Sequence, residues 1–195
     1  MKNEAENLGC GKQKIFSGVE MNREILTNRQ GERTMTPNFK VEIYSRRAME
    51  EWLSEVNTEN VAVISFHDPV GRGRRRLEAY APIDFTGKCG RVMQIALHDL
   101  DPEALSDFGL SAESYFPEAA ELAEFIYAAK ADGLAIFCQC EYGQSRSAGC
   151  AAAILEHFQR RGIEIFADYR YYPNQLVYHK VFDALEAQRI MEQQK

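Results

Sequence analysis

The sequence predicts an α/β fold in a single domain, on three observations. Apolar runs of strand length alternate with segments of helical periodicity. With 195 residues, 45% of them hydrophobic, the chain can bury one substantial core but does not divide comfortably into two. Near its C-terminal third, an apolar run passes through a glycine-bearing turn directly into an Ala- and Gly-rich helical pattern.

The elements follow in order. Residues 1–37 are polar and aperiodic, too poor in apolar side chains to offset their ordering entropy, and are expected to form a flexible N-terminal extension to a domain spanning 38–195. Residues 41–44 read as a short strand, 46–56 as a helix and 61–66 as a buried strand, giving β-α-β order. The connection that follows, with Gly71, Arg72, Gly73, Arg74, Arg75 and Arg76, is expected to be irregular until a strand at 92–97. Pro117 suits the first turn of the next helix, Leu122, Phe125, Ile126 and Ala129 share one face, and Gly133 can end it. Residues 134–138 are an apolar run of strand length, expected as the last strand. The helix after the turn puts Ala151, Ile154, Leu155 and Phe158 on one side, with Gly162 as its expected stop, and a final amphipathic helix is expected to start at Asn174 as N-cap.

Composition excludes several functions. A formal charge of −6 argues against nucleic-acid binding and against a surface held to anionic lipid by bulk electrostatics, and no apolar run approaches the roughly 20 residues of a membrane span. Any anion site must be local. Five cysteines, with no C-x-x-C metal spacing and no secretory signal before them, suit a reducing cytoplasm. No metal or cofactor is expected, and no pattern sets an oligomeric state.

The chemistry concentrates at Cys140 and Arg146, separated by five residues where strand gives way to helix. A tight loop of about five residues opening a helix can aim its backbone N–H groups at one tetrahedral anion, and the helix dipole favours negative charge there. Glu141, Tyr142, Gly143, Gln144 and Ser145 make up that loop, with Gly143 allowing the backbone to curl. The Cys140 thiolate would be the nucleophile. The planar Arg146 fork can grip two equatorial oxygens of a transferring phosphoryl group, which lysine cannot do. Ser147 places a hydroxyl near the sulfur, able to stabilise it as it departs from a phosphocysteine intermediate.

The segment LAIFCQCEYGQSRSAG resembles the C-x5-R-[ST] phosphate-binding loop of the protein tyrosine phosphatase superfamily, most of all its compact dual-specificity-like bacterial members. The resemblance runs from about Val41 to Leu185 and includes the segment at Pro173 and Asn174. It implies a central, mostly parallel four- to five-stranded sheet wrapped by helices, with Cys140, Arg146 and Ser147 as nucleophile, clamp and hydroxyl. It also implies a metal-independent phosphatase acting on phosphotyrosine or a related phosphoester, carried on a phosphorylated protein or a small molecule. Where the family usually has histidine before the nucleophile this chain has Gln139, expected to hydrogen-bond the loop and to give weaker or pH-shifted activity.

A phenolate leaves poorly unless protonated, so a carboxylic acid is required beside the loop. Asp99, Asp101 and Asp107 are candidates, and Asp99 is favoured because it follows a strand at the carboxyl edge, where open α/β sheets bind ligands. Tyr169, Tyr171 and Tyr172 could wall the pocket or serve packing. His67, His98, His157 and His179 lack metal-ligand spacing and are read as structural. Two competing functions remain in other classes: a phosphate-binding module without turnover, and sulfur transfer of the rhodanese sort.

Overall fold

The computed structural model describes residues 40–55, 58–69 and 81–194, together with the backbone of residues 26–27 and 33–34. The chain divides into two compact units, Met1–Asn38 and Phe39–Lys195. In the first, β1 (Leu26–Thr27) and β2 (Arg33–Thr34) pair antiparallel. The rest of the expected N-terminal arm, and the arginine-rich run at 71–76, lie outside the described residues.

The second unit carries β3 (Val41–Ser45), α1 (Arg46–Glu55), β4 (Thr58–His67) and β5 (Cys89–Ala96). A 3-10 helix (Pro102–Phe108) and α2 (Ala119–Ala131) lead to β6 (Ala135–Cys140), followed by α3 (Arg146–Gln159), α4 (Ile163–Ala167) and α5 (Gln175–Glu192). The four strands lie in the order β3-β6-β4-β5 and every pairing is parallel. This is an α/β fold with β6 inside the sheet and its carboxyl end beside those of β3 and β4.

Strand periodicity divides the core into two. Ala62, Ile64 and Phe66 of β4 and Ile136, Cys138 and Cys140 of β6 face a layer built by α2, α3 and α5, where Leu122, Ile126, Ile154, Val181 and Leu185 are fully buried. Val61, Val63 and Phe137 face the other way, onto Met49 and Leu53 of α1 and onto Ile83 and Phe85. Each fully buried aliphatic side chain contributes about 1.5–3 kcal/mol relative to exposure, so the larger layer, the one behind Cys140, dominates stability.

Helix ends agree with the sequence reading at some places and correct it at others. Asn174 caps α5, its side chain accepting from Val177 N at 3.0 Å. Gly133, at φ 72°, closes the turn after α2 through Leu134 N to Ala129 O at 3.0 Å. Pro117 lies in the turn before α2 rather than in its first helical turn. Gly162 does not stop α3: the chain turns earlier, at Arg160, whose φ of 58° is left-handed, with Arg161 N donating to Leu155 O at 3.3 Å. Gly162 instead precedes α4 and is required by close approach, because a Cβ there would stand 2.6 Å from Ala152 O.

Three helices are joined by a polar network away from the sheet edge. Tyr127 Oη on α2 meets His157 Nε2 on α3 at 2.8 Å, and His157 Nδ1 meets Glu186 Oε1 on α5 at 2.8 Å. Burial pushes the His157 pKa down against the opposing pull of Glu186. The unfolded chain therefore takes up this proton more readily than the folded one, and stability falls as pH drops below about 6.5, the ordinary histidine value. In urea unfolding between pH 5.5 and 7.5, His157→Gln is expected to be less stable at neutral pH and to lose this part of the slope.

Candidate active site

β6 ends at Cys140 and α3 begins at Arg146, so the loop spans residues 141–145. Three elements hold it from outside through its carbonyls. The first residue of α1, Arg46, donates its backbone N–H to Glu141 O at 3.1 Å and its Nε to Glu141 Oε2 at 3.0 Å. Tyr172 N donates to Gln144 O at 2.9 Å, and Asn174 N and Gly149 N donate to Ser145 O at 3.2 and 2.8 Å. Gly143 has φ 70°, and a Cβ there would lie 2.6 Å from Ser45 N. Ser45 pairs in register with Cys140, so the tip of the loop folds back over the end of β3. Gly149 meets the same demand on the far side, where a Cβ would stand 2.5 Å from Asn174 O.

Within this loop the chemistry-bearing side chains converge. Cys140 is buried with its Sγ 3.0 Å from Ser147 Oγ, and Ser147 has no exposed surface. Arg146 is only 3% exposed, and its guanidinium is anchored on one nitrogen: Nη1 donates to Asp68 Oδ1 at 2.7 Å and to Leu97 O at 2.6 Å. Nε is buried without a hydrogen-bond partner among the described residues, with Asp99 Oδ2 standing 3.6 Å away. An orphaned, charged donor of this kind is costly unless something polar meets it.

Asp99 lies at the loop. Its Oδ1 accepts from Ser145 Oγ at 2.6 Å and from Asn174 Nδ2 at 2.9 Å, and Asn174 Nδ2 also donates to Leu100 O at 2.9 Å. Tyr115 supports the same segment, donating to His98 O at 2.6 Å, and burial pushes its pKa up to about 12. Asp101 and Asp107 are exposed, at the N-cap and within the 3-10 helix, and neither is paired with a loop residue among the described contacts.

Other expected residues fall in different places. Tyr142 is 76% exposed at the rim, and Gln144 is exposed beside it. Tyr169 and Tyr172 are exposed on the segment that binds Gln144 O, whereas Tyr171 is half-buried. Gln139 does not turn to the loop with Cys140. It is buried on the α1 face of the sheet, where Oε1 accepts from Ser65 Oγ at 2.6 Å, because adjacent strand residues point to opposite faces. Cys138 shares the Cys140 face, and burial with Cys150 beside it keeps its thiol pKa well above the ordinary value. An open depression of about 490 Å³ lined by residues 82–86, Val92 and Gln94 contains none of these groups.

Asp68 is the residue sequence reasoning missed. It stands immediately after β4, at the same carboxyl edge that made Asp99 a candidate after β5, and the same edge argument finds it.

No family model and no curated protein matches the chain. Solved structures with similar folds include human DUSP28, at 18% identity over 76% of this chain and 90% of that one, with a TM-score of 0.45. DUSP15 matches at 14% identity over 82% and 94%, with a TM-score of 0.49. The human tyrosine phosphatase-like serine/threonine/tyrosine-interacting protein matches at 14% identity over 75% and 87%, with a TM-score of 0.47.

Because Gly143 combines a left-handed φ with backbone contact on Ser45, Gly143→Ala is expected to destabilise the fold by about 2 kcal/mol or more. Thermal unfolding checks this, and an unshifted midpoint would show that the loop does not depend on the close approach.

Proposed function

We propose that the chain is a phosphomonoester hydrolase working through a phosphocysteine intermediate, a cysteine-dependent phosphatase of the tyrosine and dual-specificity kind, with activity carried by residues 38–195. One observation carries this reading: Arg146, whose buried Nε makes no hydrogen bond among the described residues, directly follows a five-residue loop that brings Cys140 Sγ and Ser147 Oγ within 3.0 Å of each other. With Nη1 taken by Asp68 and Leu97 O, the bidentate edge left to the guanidinium is Nε with Nη2. Two oxygens of a phosphoryl group match that edge, and the N–H groups of residues 141–146 would receive the same anion, their loop being held outward through the carbonyls of 141, 144 and 145.

In the first step the Cys140 thiolate attacks phosphorus as the P–O bond to the leaving group breaks, and Asp99 gives its proton to the departing oxygen. Arg146 and the loop amides meet the charge that spreads over the equatorial oxygens. In the second step water attacks the phosphocysteine, Asp99 takes up its proton, and Ser147 Oγ donates to the sulfur as the P–S bond breaks. The exposed rings of Tyr142, Tyr169 and Tyr172 at the rim suit an aryl leaving group such as phosphotyrosine. A free thiol nucleophile suits a reducing compartment, as the cytoplasm is; among the described residues no helix is long and apolar enough to cross a membrane.

Two measurements test this. Cys140→Ser is expected to abolish p-nitrophenyl phosphate turnover while tungstate binding persists; full turnover in this variant would refute the assignment, and binding without turnover in the unaltered protein would favour a recognition module. Asp99→Asn is expected to lower kcat by about 10²–10³-fold with phenyl phosphate and far less with a better leaving group, and to remove the basic limb of the pH profile. Equal losses with both substrates would take the acid role from Asp99.

A further inference from the structure

We propose that Asp68 is the positioning residue that fixes which edge of the Arg146 guanidinium faces the anion. This inference deepens the phosphatase reading and rests on it for the identity of the anion, but its geometry stands independently. Arg146 begins α3, and its side chain reaches across to the ends of β4 and β5, where Asp68 Oδ1 and Leu97 O both accept from Nη1. Leu97 O supplies direction but no charge. Asp68 supplies both, and at 36% exposure its carboxylate stays in contact with solvent while it meets a guanidinium that is only 3% exposed.

A guanidinium has two bidentate edges, Nη1 with Nη2 and Nε with Nη2. If Nη1 were released, the group could swing its terminal edge toward the loop or move to Asp99, whose Oδ2 already stands 3.6 Å from Nε. The second outcome would set the clamp against the acid. Asp68 prevents both by holding Nη1 on the β4 side, leaving Nε buried and without a hydrogen bond among the described residues, 3.6 Å from Asp99 Oδ2. Asp68 therefore acts through Arg146 and does not touch substrate. Its position also separates it from a proton donor: the oxygen on Arg146 is engaged, and Asp99, rather than Asp68, is bonded to the loop through Ser145.

The test compares Asp68→Asn, Asp68→Ala and Asp68→Glu in the full chain, reading tungstate affinity by calorimetry and turnover with both p-nitrophenyl phosphate and phenyl phosphate. Positioning predicts that Asp68→Ala weakens tungstate binding at least 10-fold and lowers kcat/KM by about 30–100-fold, equally for the two substrates and with the pH profile unshifted. Asp68→Asn, which keeps the oxygen but not the charge, should fall between, and Asp68→Glu should recover part of the loss. Should Asp68→Ala fail to fold, the Asn variant carries the comparison alone. Unchanged tungstate affinity in a folded Asn or Ala variant overturns the proposal, as does a loss confined to the poor leaving group, which would make Asp68 the acid. If the unaltered protein binds tungstate but hydrolyses neither ester, the phosphatase reading fails while the affinity comparison still decides the role of Asp68; if it binds no tungstate, both fail.

Discussion

A positive charge 3% exposed has to be matched by acceptors that cannot move away, and much of the site's layout follows from that constraint on Arg146. The acceptors come from strand ends: Asp68 after β4, and Leu97 O and Asp99 after β5. They can be there only because the sheet is parallel, so that β4 and β5 end on the same edge as β6. An antiparallel arrangement would send alternate strand ends to the opposite edge and leave the guanidinium without partners. The need to match one buried cation thus connects strand direction to the chemistry of the loop.

The loop is rigid for a related reason. Its carbonyls are held by α1, by residues 172–174 and by the first turn of α3, three elements far apart in sequence. Two glycines remove the side chains that would block these approaches, Gly143 over the end of β3 and Gly149 against Asn174. Asn174 serves both sides of the site, with its backbone on Ser145 and its side chain on Asp99 and Leu100 while it caps α5. Asp99 and Cys140, carried on different segments, are in this way fixed to one frame before any ligand arrives, which is the condition for electrostatic preorganisation.

The parts legible in the sequence are those whose geometry is local. Cys140, Gly143, Arg146 and Ser147 lie within eight residues, and a strand running into a helix through a tight turn orders them almost without help from elsewhere. Asp99 needed only the rule about strand ends. Asp68 depends on a contact 78 residues long in sequence, and on β4 being the neighbour of β6, which nothing in the local pattern states. The orientation of Gln139 was readable from the two-residue period of a strand, since Cys140 and its neighbour cannot face the same layer. The end of α3 was not, because the left-handed turn falls on Arg160, a residue whose type gives no sign of it, and the nearby glycine serves packing.

The strand order has a consequence for biosynthesis. β3 and β4 do not pair with each other; β6 lies between them and is made last of the four. As the chain leaves the ribosome N-terminus first, the two earlier strands expose bare backbone edges until residue 140 has emerged, about 70 residues after β4 is complete. Cys140 is thus at the end of the segment that closes the sheet, and its thiol reaches the 141–145 loop and Ser147 only as the sheet becomes whole. Until then the nascent protein presents unpaired strand edges of the sort that chaperones guard.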